Sequence, residues 1–230
     1  MKKVIIFFIL TLFSFCLVLF SKIYLRKNGL FRFHDWNNVE RLMIVAHPDD
    51  ETLWGSEELL KNKYLVVCIT CGTNKKREKE IEAALKISKD RLIVLDKPDK
   101  VRGKRSDWKH YKKQIEYELK YVIKKKKWNT IVTHNPEGEY GHIHHQMTSQ
   151  LVTQEYYRNY QINNLYYFGK YYKKKVLPDI ADSLPRISAK SESAKRELLL
   201  NYKSQKKVEN MFAHMIPYED WSQSGEIWAK

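Results

Sequence analysis

From residue 41 onward the chain repeats one alternation, a short apolar run followed by a stretch with helical spacing. The runs are RLMIVA (41–46), YLVVCIT (64–70), RLIVLD (91–96), NTIVTHN (129–135) and NLYYFG (164–169). Between them lie helical stretches from Asp50 to Lys61, over 75–88 with Ile81, Ala84, Leu85 and Ile87 at helical spacing, from Trp108 to Lys126, and from His142 to Arg158. A further helix is expected from Ser191 to Lys206. Strands that are apolar along their whole length must be covered on both faces, and helices between them supply the cover. The expected fold is therefore α/β, a Rossmann-like, mainly parallel sheet with helices on both faces. At 230 residues one such core is affordable together with one appendage.

In open sheets of this kind, ligands bind beyond the carboxyl ends of the strands. Two polar segments arrive at that edge: HPDDE (47–51) after the first strand and HNPEGEYGHIHH (134–145) after the fourth. Acids after a strand also suit the N-terminus of a helix, where they meet the positive end of its dipole. Two histidine-bearing segments meeting at one edge point further, to a metal centre. A zinc hydrolase needs nitrogen and oxygen ligands, usually three from protein. It also needs a carboxylate that moves the proton of water and a donor for the oxyanion.

The N-terminus adds a different element. VIIFFILTLFSFCLVLF (4–20) carries no charge, and with Ile23 and Leu25 it reaches the roughly 20 residues that cross a bilayer. It lacks the small-residue cleavage pattern of a signal peptide, so residues 1–25 are expected to be a transmembrane anchor, 26–40 a juxtamembrane linker, and 41–230 the folded domain. Lys2 and Lys3 compete with Lys22, Arg26, Lys27 and Arg32, and the balance favours the folded domain on the cytoplasmic face. The net charge of +15 favours anionic surroundings, but much of it sits in lysine runs such as 124–127 and 173–175. No nucleic-acid-binding motif accompanies it, and no specific nucleic-acid partner is expected. Cys68 and Cys71, in and just after the second strand, read as small buried residues rather than as a metal or disulfide pair.

At the two polar segments the chain resembles the PIG-L/LmbE family of metal-dependent N-acetylglucosaminyl deacetylases. The resemblance runs from about Arg41 to Arg158 and rests on AHPDDE (46–51), the R-x-x-E of Arg77 and Glu80, and GHIHH (141–145). It implies an LmbE-like fold, zinc or ferrous iron as cofactor, and His47, Asp50 and His145 as metal ligands. It further implies Asp49 as general base and His142 as donor to the oxyanion. Glu51 would order the helix start. Arg77 is expected to contact a sugar or phosphate, Tyr140 to line the acetyl pocket, and Asp99 to accept from sugar hydroxyls. Relatives often carry Pro-Asp where this chain has Ile143 and His144, which makes His144 a rival ligand on spacing alone. His134 is expected to be a packed strand-end residue. Trp221 and Trp228 are candidate sugar-stacking residues whose commoner use is core packing.

The expected activity is thus a membrane-anchored hydrolase that releases acetate from an N-acetylglucosamine-type sugar, lipid-linked such as N-acetylglucosaminyl-phosphatidylinositol or a surface-glycan precursor. The alternative is a noncatalytic glycan- or lipid-binding protein that retains the fold. Binding alone would not require a base beside the ligands.

Overall fold

The computed structural model describes residues 7, 10–16, 19, 38–159 and 163–227. The chain divides into two units, Met1–Trp36 and Asn37–Lys230. In the first, residues 10–16 are helical, and Leu10, Leu12, Phe13 and Phe15 are exposed. Among the described residues no helix is long and apolar enough to cross a membrane. The anchor expected over 4–25 lies largely outside the described residues, as does Trp228.

In the second unit, strands β1 (Arg41–Val45), β2 (Tyr64–Thr70), β3 (Arg91–Lys97), β6 (Thr130–Thr133), β7 (Leu165–Phe168) and β8 (Trp221–Gln223) form one sheet in the order β3-β2-β1-β6-β7-β8. All neighbours are parallel except β7 and β8. The central strands β1 and β2 are buried almost throughout, as continuous apolar runs require, whereas β3 at the edge alternates exposed and buried residues. Strand order reverses between β1 and β6, and such a switch point leaves a crevice at the carboxyl ends. Helices α1 (Asp50–Lys61), α2 (Lys75–Ser88), α3 (Lys112–Ile123), α4 (Ile143–Asn159) and α5 (Ala189–Leu199) complete the layers. The core packs Met43, Val45, Val66, Cys68 and Val132 of the sheet against Leu59, Ile81 and Leu85 of the helices. Ile87, at helical spacing in the sequence, is exposed.

Helix α1 bends at Gly55, whose φ and ψ are −144° and 19°. A Cβ there would stand 2.7 Å from Met43 Cε and 3.2 Å from the Trp221 ring, so a larger residue would have to displace side chains of the core. The bend creates a second helix start within α1. The amides of Ser56 and Glu57 donate to the Glu219 carboxylate at 3.1 and 2.9 Å, and buried Lys195 balances its charge at 2.7 Å. This lock, together with β8, packs the C-terminal tail onto the sheet. Trp221 takes the packing role: its indole donates to Trp54 O at 3.0 Å and its ring lies 5.8 Å from that of Phe168.

Three boundaries differ from the sequence expectation. Helix α3 begins at Lys112 rather than Trp108, because buried Trp108 has a φ of 52° and its indole donates to Pro98 O at 2.9 Å. Helix α5 spans 189–199 rather than 191–206, and the chain then turns inward to bury Tyr202. The loop after β3 contains a two-stranded hairpin, β4 (Lys100–Val101) and β5 (Lys104–Arg105). Arg102 and Gly103, with φ of 51° and 80°, supply its turn. Cys68 and Cys71 are both free thiols.

Candidate active site

Strand β1 ends against β6, and the turn after it brings His47, Asp49 and Asp50 into the crevice, all buried. From the other side, a short helical turn at 138–141 and the start of α4 bring in Glu139, Tyr140, His142, His144 and His145. His47 Nδ1 lies 3.2 Å from Asp50 Oδ2 and 3.3 Å from His145 Nε2, which is 3.3 Å from Asp50 Oδ1. Three ligands of a tetrahedral cation at about 2.0–2.1 Å stand about 3.3 Å apart. The donors are two imidazoles and a carboxylate, so spacing and chemistry both fit a small divalent ion. Among the described residues three overlapping groups could hold one: His47, His142 and His145; Asp50, His134 and His145; and His47 with, on its other side, Asp99 and His144, whose Oδ1 and Nδ1 are 3.5 Å apart.

Each donor is oriented by a further contact. His145 Nδ1 lies against the Glu139 carboxylate, which turns its Nε2 toward Asp50. Asp50 Oδ2 accepts the backbone N–H of His47 at 2.8 Å. Burial opposes ionisation of Asp50, but His145 and then His47 outweigh it and hold the carboxyl well below the usual range. Burial likewise opposes a charge on His47, and its pKa is nonetheless raised by Asp50 and Asp99.

Asp49 stands differently from Asp50. Burial, reinforced by Asp50 and Glu51, pushes its carboxyl well above the usual range against the pull of Arg77. Its backbone is left-handed, with φ 116° and ψ −27°. Glu51 Oε2 accepts the Asp49 amide at 3.1 Å, and Glu51 Oε1 accepts from Thr52 at 2.6 Å and from Tyr202. Arg77, expected to face a sugar or phosphate, is only 9% exposed and turns inward instead. Its guanidinium donates to Pro48 O and reaches Asp49 Oδ1 at 3.4 Å. Glu80 does not pair with Arg77 but accepts from Ser204 N and Oγ at 2.8 and 2.5 Å.

The N–H of His144 donates to His142 Nδ1 at 3.2 Å, so the ring proton of His142 sits on Nε2. Burial, then His145 and His47, push its pKa down to about 2, leaving a neutral donor. Arg105, from the hairpin, lies directly against that Nε2. Both are donor groups, so neither can accept from the other. Tyr140 is 38% exposed, with its ring 5.4 Å from His145 and 5.0 Å from Phe212. Asp99 is partly exposed, its Oδ1 at 3.6 Å from His47 Nε2 and 3.9 Å from Arg105.

His134 is not a simple packing residue. Its Nε2 accepts the Ala46 N–H at 3.0 Å and its Nδ1 donates to Glu139 at 3.0 Å. Burial opposes a second proton, whereas Glu139 and Asp50 would raise its pKa to about 9. A proton on Nε2 would then oppose the Ala46 N–H, whose direction is set by the backbone. We therefore assign the neutral ring with its proton on Nδ1. Glu139 and Arg105 are the residues missed by sequence reading. An acid six residues before a histidine, with φ of 54°, and an arginine in a lysine-rich loop carry no local signal of the site.

A family model described as GlcNAc-PI de-N-acetylase matches residues 42–156. An uncharacterized protein of Acanthamoeba polyphaga mimivirus is 30% identical over 183 residues, 71% of this chain and 76% of that protein. Among solved structures, the antimicrobial A40926 pseudoaglycone deacetylase aligns at a TM-score of 0.56 and 15% identity, over 76% of this chain and 85% of that one. A deacetylase of teicoplanin biosynthesis aligns at 0.55 and 16%, over 74% and 86%. The 4-carboxy-2-hydroxymuconate hydratase of Pseudomonas putida aligns at 0.51 and 15%, over 81% and 96%. At these identities the structures share the fold, and a hydratase among them means that the fold alone selects no reaction. The matched stretch of sequence runs from β1 into α4 and carries both halves of the donor cluster, and the chain belongs to the PIG-L family, that of the GlcNAc-PI de-N-acetylases.

Proposed function

We propose that this protein is a metal-dependent hydrolase that removes the acetyl group from an N-acetylglucosamine-type sugar. The observation that carries this reading is the triangle of His47, Asp50 and His145 with a separate buried carboxylate, Asp49, on the same turn. Zinc or ferrous iron held by that triangle would polarise the amide carbonyl and acidify water near neutral pH. Asp49, whose buried surroundings raise its affinity for a proton, takes the proton of the attacking water from its ionised form. As the new C–O bond forms and the C–N bond breaks, Asp49 returns that proton to the sugar nitrogen, giving acetate and a free amine. His142 Nε2–H donates to the carbonyl oxygen as charge develops there, and Arg105 faces the same place. Tyr140 walls the acetyl group, and Asp99 accepts from sugar hydroxyls. Arg77 acts through Pro48 and Asp49 rather than on the sugar.

Beyond the carboxyl ends of β6 and β7 lies a cavity of about 510 Å³, lined in part by Trp54, Asn135, Phe168, Lys170, Tyr218 and Asp220. Its size suits the remainder of an acceptor, with aromatic faces for stacking and polar groups for hydroxyls. Residues 1–25 we assign as an anchor, 26–40 as a linker and 41–230 as the deacetylase domain, on the cytoplasmic face. The uncharged run over 4–20 supports this assignment, and an anchor would concentrate the enzyme beside a lipid-linked acceptor.

The test is acetate release by the full chain in detergent micelles, supplied with zinc or ferrous iron. The acceptors are N-acetylglucosaminyl-phosphatidylinositol and N-acetylhexosamine glycans. Release that needs metal and disappears in Asp49→Asn, with metal still bound, is the expected result. A folded protein that binds these glycans or lipids but binds no metal and releases no acetate would instead favour the noncatalytic reading. Protease accessibility of the domain in sealed vesicles tests the anchor and its orientation.

A further inference from the structure

His144 makes two hydrogen-bonding contacts that together determine where its proton lies. Its Nε2 is 2.7 Å from Ser106 O, and a carbonyl only accepts, so Nε2 carries hydrogen. A neutral imidazole carries one ring hydrogen, so with that hydrogen on Nε2 the Nδ1 atom holds a lone pair. That lone pair lies 2.9 Å from His47 Nε2. The proton that His47 keeps is therefore the one on Nε2, and the nitrogen left open is Nδ1. His47 Nδ1 is the atom that faces Asp50 and His145.

We propose that His144 is a positioning residue that holds His47 in the tautomer presenting Nδ1 to a divalent cation, through the chain Ser106 O, His144, His47. The proposal rests on the ligand set assigned above and deepens it. It also separates the two adjacent histidines. His145 directs Nε2 into the donor triangle, whereas both nitrogens of His144 are engaged elsewhere.

The surroundings hold the ring in this role. The indole of Trp108 stacks on it with centroids 4.4 Å apart and planes within 5°. Trp108 is itself tied to Pro98 O at 2.9 Å, and Ser106 N donates to Asp99 O at 3.0 Å, which fastens the segment that presents the Ser106 carbonyl. Asp99 Oδ1 is the rival acceptor for the His47 proton, but at 3.6 Å it stands beyond hydrogen-bond distance while His144 is at 2.9 Å. An outer partner that orients a ligating histidine changes metal affinity by about 10–100-fold.

The experiment measures zinc affinity of the full chain in detergent by competition with a chromophoric chelator, and records the visible spectrum of the cobalt(II) form. His144→Phe keeps a ring on Trp108 but removes the acceptor; affinity should fall about 10–100-fold with the cobalt spectrum unchanged. His144→Asn places a carbonyl oxygen near the position of Nδ1 and should recover most of the loss, which a general packing defect would not allow. His145→Ala should abolish tight binding and change the spectrum. Wild-type affinity in both His144 variants overturns the proposal. So does a loss in His144→Phe equal to that in His145→Ala with an altered spectrum, which would make His144 a ligand. A fall in Asp99→Asn but not in the His144 variants would overturn it in favour of Asp99. Unchanged affinity in His145→Ala would remove the ligand set itself, an outcome distinct from failure of the relay alone.

Discussion

The backbone amide of Asp49 donates to the carboxylate of Glu51 at 3.1 Å, across a left-handed backbone with φ of 116°. A side chain in this region costs about 1–3 kcal/mol and persists only where neighbours over-determine it. Glu51 and the Arg77 contact to Pro48 O are those neighbours. Catalytic geometry and stability therefore oppose each other at Asp49.

Asp49→Gly should release that strain and remove a buried carboxylate. Urea unfolding of the metal-free protein is expected to show a gain of about 1 kcal/mol, while deacetylation is lost. A less stable glycine variant would show that the turn is not strained.

Arg77→Met tests the inward role of the guanidinium. If Arg77 positions Asp49, kcat should fall about 100-fold while KM stays within about twofold. A rise in KM at constant kcat would restore the sugar or phosphate contact expected from sequence.

Tyr202→Phe removes one donor from the buried Glu51 carboxylate and leaves Thr52 in place. A hydrogen bond to a charged group contributes about 1.5–3 kcal/mol, and stability should fall by that order. kcat should fall as well, since Glu51 holds the Asp49 amide. Calorimetry paired with steady-state kinetics would separate the two effects, and an unchanged kcat would detach Tyr202 from the site.

Asp90 gives a pH signature away from the metal ligands. Its Oδ1 accepts Tyr64 N–H at 2.7 Å while Oδ2 is buried without a partner, and burial raises its pKa from 3.8 to about 7. A raised carboxyl favours the folded state while protonated, so its contribution is complete below pH 3.8 and is lost as pH rises through about 7. Relative to wild type, Asp90→Asn should gain roughly 1–3 kcal/mol between pH 4 and 8, because the amide stays neutral. Parallel stability curves for the two proteins over that range would contradict the assignment.

Much of the frame was legible because it is local. β1, β2 and β6 are short apolar runs that cannot remain in water, and α1, α2 and α4 follow from helical spacing nearly to the residue. β8 was not legible: three residues, WSQ, have no period, and the strand exists because β7 offers it an antiparallel edge. The β4–β5 hairpin is not legible either, because its two-residue strands are basic and exposed, yet it supplies Arg105.

By itself the sequence determined that a buried parallel sheet would form and that His47, Asp49 and Asp50 would leave β1 on one turn. Both follow from periodicity and from spacing within four residues. Only the tertiary structure decided that Arg77 faces inward, that Glu139 orients His145, and that His144 lies behind His47 rather than beside the donor triangle. Those choices join residues as much as 97 positions apart. They are made where buried polar groups must find partners in a medium without water, and there the packing of distant segments selects the nitrogen that is left free.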